Sequence, residues 1–92
     1  MDYQKVYDAL MLKRIQNPAV KTGPGTVAVH HILPRSMGGN DDKSNLVKLT
    51  PKEHFVAHHL LWRIYNNKEM TYAFMFMVRM NSYHKITAHI YH

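Results

Sequence analysis

The stretch HHILPRSMGGNDDKSNLVKLTPKEHFVAH, residues 30–58, holds four of the chain's eight histidines. They form an adjacent pair, His30 and His31, and a pair four residues apart, His54 and His58. A turn segment with two glycines and the start of a helix separate the pairs. The first question is which fold and which chemistry require imidazoles at these two spacings.

The clearest local signal is the start of a helix at Thr50. Thr50 suits the N-cap position, Pro51 the first helical position, and Glu53 completes a capping box with Thr50. The sequence therefore predicts a helix from residue 51 to about residue 65. Its expected buried stripe is Phe55, Val56, Leu60 and Ile64.

Two short strands are predicted before this helix. Residues 26–33 are rich in β-branched side chains and end at Pro34, and residues 46–49 form a second apolar run. Residues 36–45 between them are typical of turns, so we expect an antiparallel pair.

Helical segments flank this ββα unit. Residues 3–16 show apolar side chains at helical spacing, and a helix is also expected at about 68–81. Residues 17–26 contain two prolines and two glycines and are expected to be loop. The predicted fold class is α+β, a hairpin packed on a helix with an N-terminal and a C-terminal helix beside it.

Length, charge and composition limit the number of domains and the kinds of partner and metal site that the chain can have. Ninety-two residues fit one domain, 1–92, with the ββα core at about 26–65. Twelve Lys and Arg against six Asp and Glu give a formal charge of +6, which favours a polyanionic partner, nucleic acid first. No apolar run is long enough for a membrane span, so no membrane partner is expected. The absence of cysteine excludes thiolate metal sites.

The histidine spacings allow a metal site. Successive side chains of a strand point to opposite faces, so His30 and His31 cannot both face the core. His54 and His58 lie about 40° apart around a helix and can chelate one cation. A strand histidine supplies a third nitrogen if the hairpin packs on that helix, and the other is then left beside the metal, where a general base is useful. Taken alone, a histidine pair at this helical spacing is more often structural, and Asn45 more often a turn residue.

The combined pattern resembles the HNH, or His-Me finger, endonucleases. It is similar to the colicin-type DNases and, through residues 46–58, to small phage HNH endonucleases, often of the homing kind. The matching positions are His30-His31-Ile32-x-Pro34, Gly38-Gly39, Asn45-Leu46, His54 and His58.

The resemblance implies a role for each of these residues. His31 matches the general base, and Asn45 matches the residue that fastens the loop and helps orient that base. His30, His54 and His58 match the ligands of one divalent cation. Many relatives have Asp at the position of His30, and three imidazoles suit Zn²⁺, Ni²⁺, Co²⁺ or Mn²⁺ better than Mg²⁺.

The implied activity is hydrolysis of DNA phosphodiester bonds in the cytoplasm of an infected bacterium. The alternative is a non-catalytic, metal-stabilised DNA-binding or interaction module of the same fold. A homodimer is left open, because the many Met and Tyr residues fit either a shared surface or a core. His59, His84, His89 and His92 are given no chemistry. The expected DNA contacts are Arg35, Lys43, Lys48 and Lys52.

Overall fold

The computed structural model describes residues 1–21 and 27–83, with side chains through residue 80. Two short 3-10 helices occupy the loop between the strands. Within the described residues the fold is α+β, with three α-helices and one two-stranded antiparallel sheet, as predicted. The elements are α1 (Tyr3–Gln16), β1 (Ala28–His31), β2 (Leu46–Leu49), α2 (Pro51–Tyr65) and α3 (Lys68–Tyr83).

The hairpin turns one face to the core. His30 lies opposite Val47 in the register of the two strands, and both are buried. Val29 and Lys48, also opposite each other, are exposed on the outer face. Strand alternation therefore sends His30 inward, and the next residue, His31, lies on the outer side.

The first strand is shorter than the predicted 26–33. It ends at His31 because the chain beyond it bonds to Asn45 instead of to a strand partner. The Ile32 amide donates to the Asn45 carbonyl over 2.8 Å, and the Leu33 amide donates to Asn45 Oδ1 over 2.8 Å. Thr26, at the other end of the prediction, lies outside the described residues.

Helix α2 begins as predicted. The Glu53 amide donates to Thr50 Oγ1 over 3.1 Å, and the Thr50 amide donates to Glu53 Oε1 over 2.9 Å, which completes the capping box. Asn66, with a φ of 50°, ends the helix in a left-handed conformation.

The core-facing side of α2 differs in part from the predicted stripe. Phe55 and Leu60 are buried, whereas Val56 is 37% exposed, and its inclusion in the stripe was wrong. The core cluster contains Ala57 and Leu61 beside Leu60, because these three share one side of the helix and Val56 falls at its edge.

Helix α1 matches the predicted range and packs on the hairpin and α2. Tyr7 and Met11 are buried in the core cluster, while Val6 on the same helix is exposed. Arg14 Nε donates to both carboxylate oxygens of Glu53, at 2.9 and 3.0 Å. This pair ties the end of α1 to the start of α2.

Helix α3 extends two residues beyond the predicted 68–81 and packs against α2. Met70 and Phe74 are buried, and the Phe74 ring stacks on Trp62 and on His59. His84, His89 and His92 lie outside the described residues. Among the side chains of this helix that the structure describes, the exposed large apolar ones are Tyr72, Met75, Phe76 and Met80.

Among the residues described, no helix combines the length and the apolar character that crossing a lipid bilayer requires.

Candidate active site

Three histidines from two elements converge between the hairpin and α2. His30 comes from the inner face of β1, and His54 and His58 come from successive turns of α2. One ring nitrogen of each lies within 4.8 Å of the others. The Nε2 atoms of His54 and His58 are 3.1 Å apart. The structure thus brings together the three residues that the resemblance assigns to a metal.

Burial keeps these imidazoles neutral. Burial, with the neighbouring histidines, lowers the pKa of His30 to about 3, and burial and His54 lower the pKa of His58 to about 4. Burial also lowers the pKa of His54. A neutral ring has a free lone pair on one nitrogen, which is the form that binds metals.

A divalent cation fits this group chemically. Two neutral rings whose Nε2 atoms face each other at 3.1 Å share at most one hydrogen, so at least one lone pair points into the group. His58 Nδ1 is the only fully buried side-chain nitrogen or oxygen without a hydrogen-bond partner among the described residues. Three imidazole nitrogens are a common donor set for Zn²⁺ and related ions.

One ring nitrogen of His30 bonds to helix α1. His30 Nε2 lies 2.8 Å from the Tyr7 hydroxyl oxygen, and the same hydroxyl donates to the Ile32 carbonyl over 2.7 Å. Tyr7 is 3% exposed, and burial raises its pKa well above the usual range, so the hydroxyl keeps its hydrogen. Sequence periodicity indicates only an apolar role for Tyr7.

His31 belongs to a second, charged group. Its Nε2 lies 2.8 Å from Asp41 Oδ1, and Arg35 binds both oxygens of the same carboxylate. The hydrogen bonds from His31 and Arg35 lower the pKa of Asp41 below its usual range, so the carboxylate is charged at neutral pH. Sequence reasoning missed Asp41, because it stands in a polar turn segment without a spacing signal.

Asn45 fastens the loop that carries Asp41. Its Oδ1 accepts from the Leu33 amide, while Nδ2 donates to the carbonyls of Leu33 and Asn40 at 3.0 and 2.8 Å. A Cβ on Gly39 would lie 1.8 Å from the Leu33 carbonyl oxygen. The loop therefore requires glycine at this position.

The two groups open into one cavity of about 430 Å³. His31 and Arg35 lie at its wall beside the three inner histidines, and Glu69 and Tyr72 of α3 complete another side. A molecule in this cavity would meet neutral ring nitrogens and a charged loop together.

The three predicted lysine contacts lie elsewhere. Lys43 and Lys48 line a separate groove of about 550 Å³ with Val29 and Leu46. Lys52 is exposed in the first turn of α2. Of the four basic side chains expected to contact DNA, only Arg35 lies at the cavity with the histidines.

Comparison with known proteins finds several relatives in one phage. The chain is 41% identical over 95 residues to "Probable mobile endonuclease E" of Enterobacteria phage T4, covering 99% of this chain and 65% of that protein. It is 44% identical to "Probable mobile endonuclease B" and 37% identical to "Probable mobile endonuclease C" of the same phage, covering 84% and 99% of this chain. It spans 30% and 42% of those two proteins.

No family model matches the chain, and no solved structure matches it. The three T4 proteins share most of this chain and extend beyond it, and each of the three is named as a probable mobile endonuclease.

Proposed function

We propose that residues 1–92 form a single His-Me finger (HNH) domain that hydrolyses DNA phosphodiester bonds. The observation that carries the proposal is the convergence of His30, His54 and His58 within 4.8 Å, with His31 at the wall of the same cavity. The names of the T4 relatives support a nuclease, and the formal charge of +6 suits DNA.

His31 is the general base in this proposal. Asp41 is charged, so the His31 ring donates from Nε2 to its carboxylate, and the lone pair of Nδ1 remains free. That nitrogen takes a proton from water, the water oxygen forms a bond to phosphorus, and the bond from phosphorus to the 3′ oxygen breaks. The products carry 5′-phosphate and 3′-hydroxyl ends, the latter after the leaving oxygen takes a proton from solvent.

His30, His54 and His58 would hold the divalent cation. When bound, a cation such as Mg²⁺, Mn²⁺, Zn²⁺ or Ni²⁺ supplies a positive charge that stabilises the phosphate oxygens and the leaving oxygen. Asn45 holds the ends of the loop together and thereby keeps Asp41 in place beside His31.

In this proposal, four basic side chains contact DNA, and their roles are assigned from where they lie. Arg35 lies at the cavity wall and has a position suited to the phosphate. Lys43 and Lys48 share the groove on the outer face of the hairpin, and Lys52 is exposed near the start of α2. These lysines add sequence-independent attraction to the DNA backbone. A mobile phage endonuclease would act in the cytoplasm of the infected host cell.

The test is cleavage of supercoiled plasmid with Mg²⁺, Mn²⁺, Ni²⁺ or Zn²⁺, and with EDTA. The wild-type chain is expected to nick or linearise the plasmid with at least one ion and to be inactive in EDTA. His31→Ala is expected to lower the rate by about 100-fold or more, because a general base contributes that much, with metal affinity retained. His54→Ala is expected to weaken metal affinity.

The matched control is His59→Ala, since His59 follows His58 but stacks on Trp62 and Phe74. It is expected to cleave at the wild-type rate. Wild-type rates in His31→Ala would refute the assigned role of the base. A wild-type chain that binds metal and DNA but never cuts would instead support the non-catalytic binding module.

A further inference from the structure

One buried hydroxyl connects helix α1 to the histidine group. The Tyr7 oxygen lies 2.8 Å from His30 Nε2 and 2.7 Å from the Ile32 carbonyl oxygen. Tyr7 is 3% exposed, and its ring meets the His30 ring edge-on with centroids 6.1 Å apart. The hydroxyl therefore has two protein partners and is largely shielded from bulk water.

The hydrogens on these atoms can be assigned from the partners. A phenol hydroxyl carries one hydrogen, and a carbonyl oxygen can only accept, so the Tyr7 hydrogen goes to Ile32. The contact between Tyr7 and His30 then needs its hydrogen from His30 Nε2. The lone pair of the His30 ring is left on Nδ1.

We propose that Tyr7 is a positioning residue that fixes His30 as the Nε2–H tautomer, so that Nδ1 is the nitrogen offered to a metal ion beside His54 and His58. The inference rests on the metal site of the proposed function and not on DNA cleavage. Partners of this type orient metal-binding histidines and raise their affinity for the ion.

Two further observations support a specific role for this hydroxyl. Among the described residues it is the only protein group outside the trio bonded to a ring nitrogen of the three histidines, and His58 Nδ1 has no partner at all. The position of Tyr7 is also fixed, since α1 packs in the core cluster and is joined to α2 by the Arg14–Glu53 pair. Helix α1 is then part of the metal site although it supplies no ligand.

The direct test is Tyr7→Phe, which removes the hydroxyl and keeps the ring. Zn²⁺ affinity, measured by competition with a chromophoric chelator, is expected to fall by about 10- to 100-fold. The absorption spectrum of bound Co²⁺ is expected to change as well. The matched control is Tyr3→Phe, one turn earlier on α1, whose hydroxyl accepts from Arg63 at 2.6 Å and is expected to leave Zn²⁺ affinity unchanged.

A second measurement needs no variant. Long-range ¹H–¹⁵N spectra of the metal-free wild-type protein distinguish the two histidine tautomers, and His30 is expected to be protonated at Nε2. An Nδ1–H tautomer would overturn the proposal, and so would a folded Tyr7→Phe variant that binds Zn²⁺ as tightly as wild type.

The two proposals fail in different experiments. A chain that binds Zn²⁺ with the expected Tyr7 dependence but never cuts DNA would refute the nuclease and leave the role of Tyr7 intact. A chain that cuts DNA and has His30 as the Nδ1–H tautomer would refute the role of Tyr7 and leave the nuclease proposal intact.

Discussion

His30 and His31 are neighbours on one strand, but their imidazoles lie in opposite surroundings. His30 is 3% exposed, and the rings around it are those of Tyr7, His54 and His58. The side chain of His31 is 31% exposed and contacts Asp41, which is itself bound to Arg35. One group is mostly buried and uncharged, and the other is more exposed and ionic.

The difference follows from the pleat of a strand, which turns consecutive side chains to opposite faces. It places two different chemical environments one residue apart. Neutral nitrogens with free lone pairs suit the binding of a cation, whereas a ring oriented by a carboxylate suits proton transfer. The predictions below act on one group at a time.

The largest expected effect is acid destabilisation through the buried group. The pKa values of His30 and His58 are about 3 and 4 when folded, against 6.5 for the free side chain. Between these values the unfolded chain binds protons that the folded chain does not, so stability is full above pH 6.5 and falls as the pH drops below it. In EDTA, from pH 7 to 5, the free energy of unfolding is expected to fall by about 2 kcal/mol for each of the two histidines.

Urea unfolding followed by circular dichroism measures this slope. His58→Gln is expected to reduce the slope, because one buried imidazole is removed and the pKa of His30 loses one of the causes that lower it. Glu53 and Asp41 have lowered pKa values, so the stability they contribute is lost mainly as the pH falls below their ordinary pKa values of 4.5 and 3.8, outside this pH interval. A stability that is level from pH 7 to 5 would contradict a neutral, buried group.

The next largest effect is expected from a change that disturbs only the loop of the charged group, which contains His31, Arg35 and Asp41. Gly39→Ala places a Cβ 1.8 Å from the Leu33 carbonyl oxygen, so the loop must move and Asn45 must release Leu33. We expect the free energy of unfolding to drop by about 2–3 kcal/mol. Zn²⁺ affinity is expected to change little, since the three inner histidines lie on β1 and α2.

Gly38→Ala is the control for this variant. Gly38 has a φ of +97°, but a Cβ there meets nothing within 4 Å, so we expect a loss of only about 1 kcal/mol from the backbone conformation. Equal losses in the two alanine variants would show that the close approach to Leu33 has no energetic weight.

The smallest effect concerns the orientation of His31. Asp41→Asn removes the charge that accepts from His31, and we expect kcat for plasmid cleavage to fall about 10-fold, as for the loss of one charge-assisted hydrogen bond. KM should not rise, because a negative charge beside Arg35 is lost. Asp42→Asn, next in the chain, is the control and should leave kcat unchanged. A raised KM with an unchanged kcat would contradict a positioning role for Asp41.

Local signals predicted most of the fold. The bounds of α1, α2 and β2 agree with the sequence, because capping residues and periodicity act within a few positions. The first strand was predicted too long, since Asn45, twelve residues after Leu33, takes over the Leu33 amide. Val56 was wrongly placed in the core, because its exposure depends on how far α3 and the hairpin reach around α2.

The candidate site, like the fold, could be predicted from the sequence only in part. The helical spacing and the strand alternation allowed three of the four histidines to meet, and the resemblance assigned which three. The structure brings those three within reach of one ion. Their chemical roles remain predictions. Tyr7 and Asp41 could not be found from the sequence, because their contacts cross 23 and 10 residues and depend on tertiary packing.

The stack of Trp62 on Phe74 and His59 has an optical consequence. Trp62 is the chain's one tryptophan, and it lies where α3 covers α2, the helix that carries His54 and His58. Its fluorescence emission will therefore change when α3 leaves α2. Trp62 fluorescence therefore reports, without an added label, on the contact between α3 and the helix that carries His54 and His58.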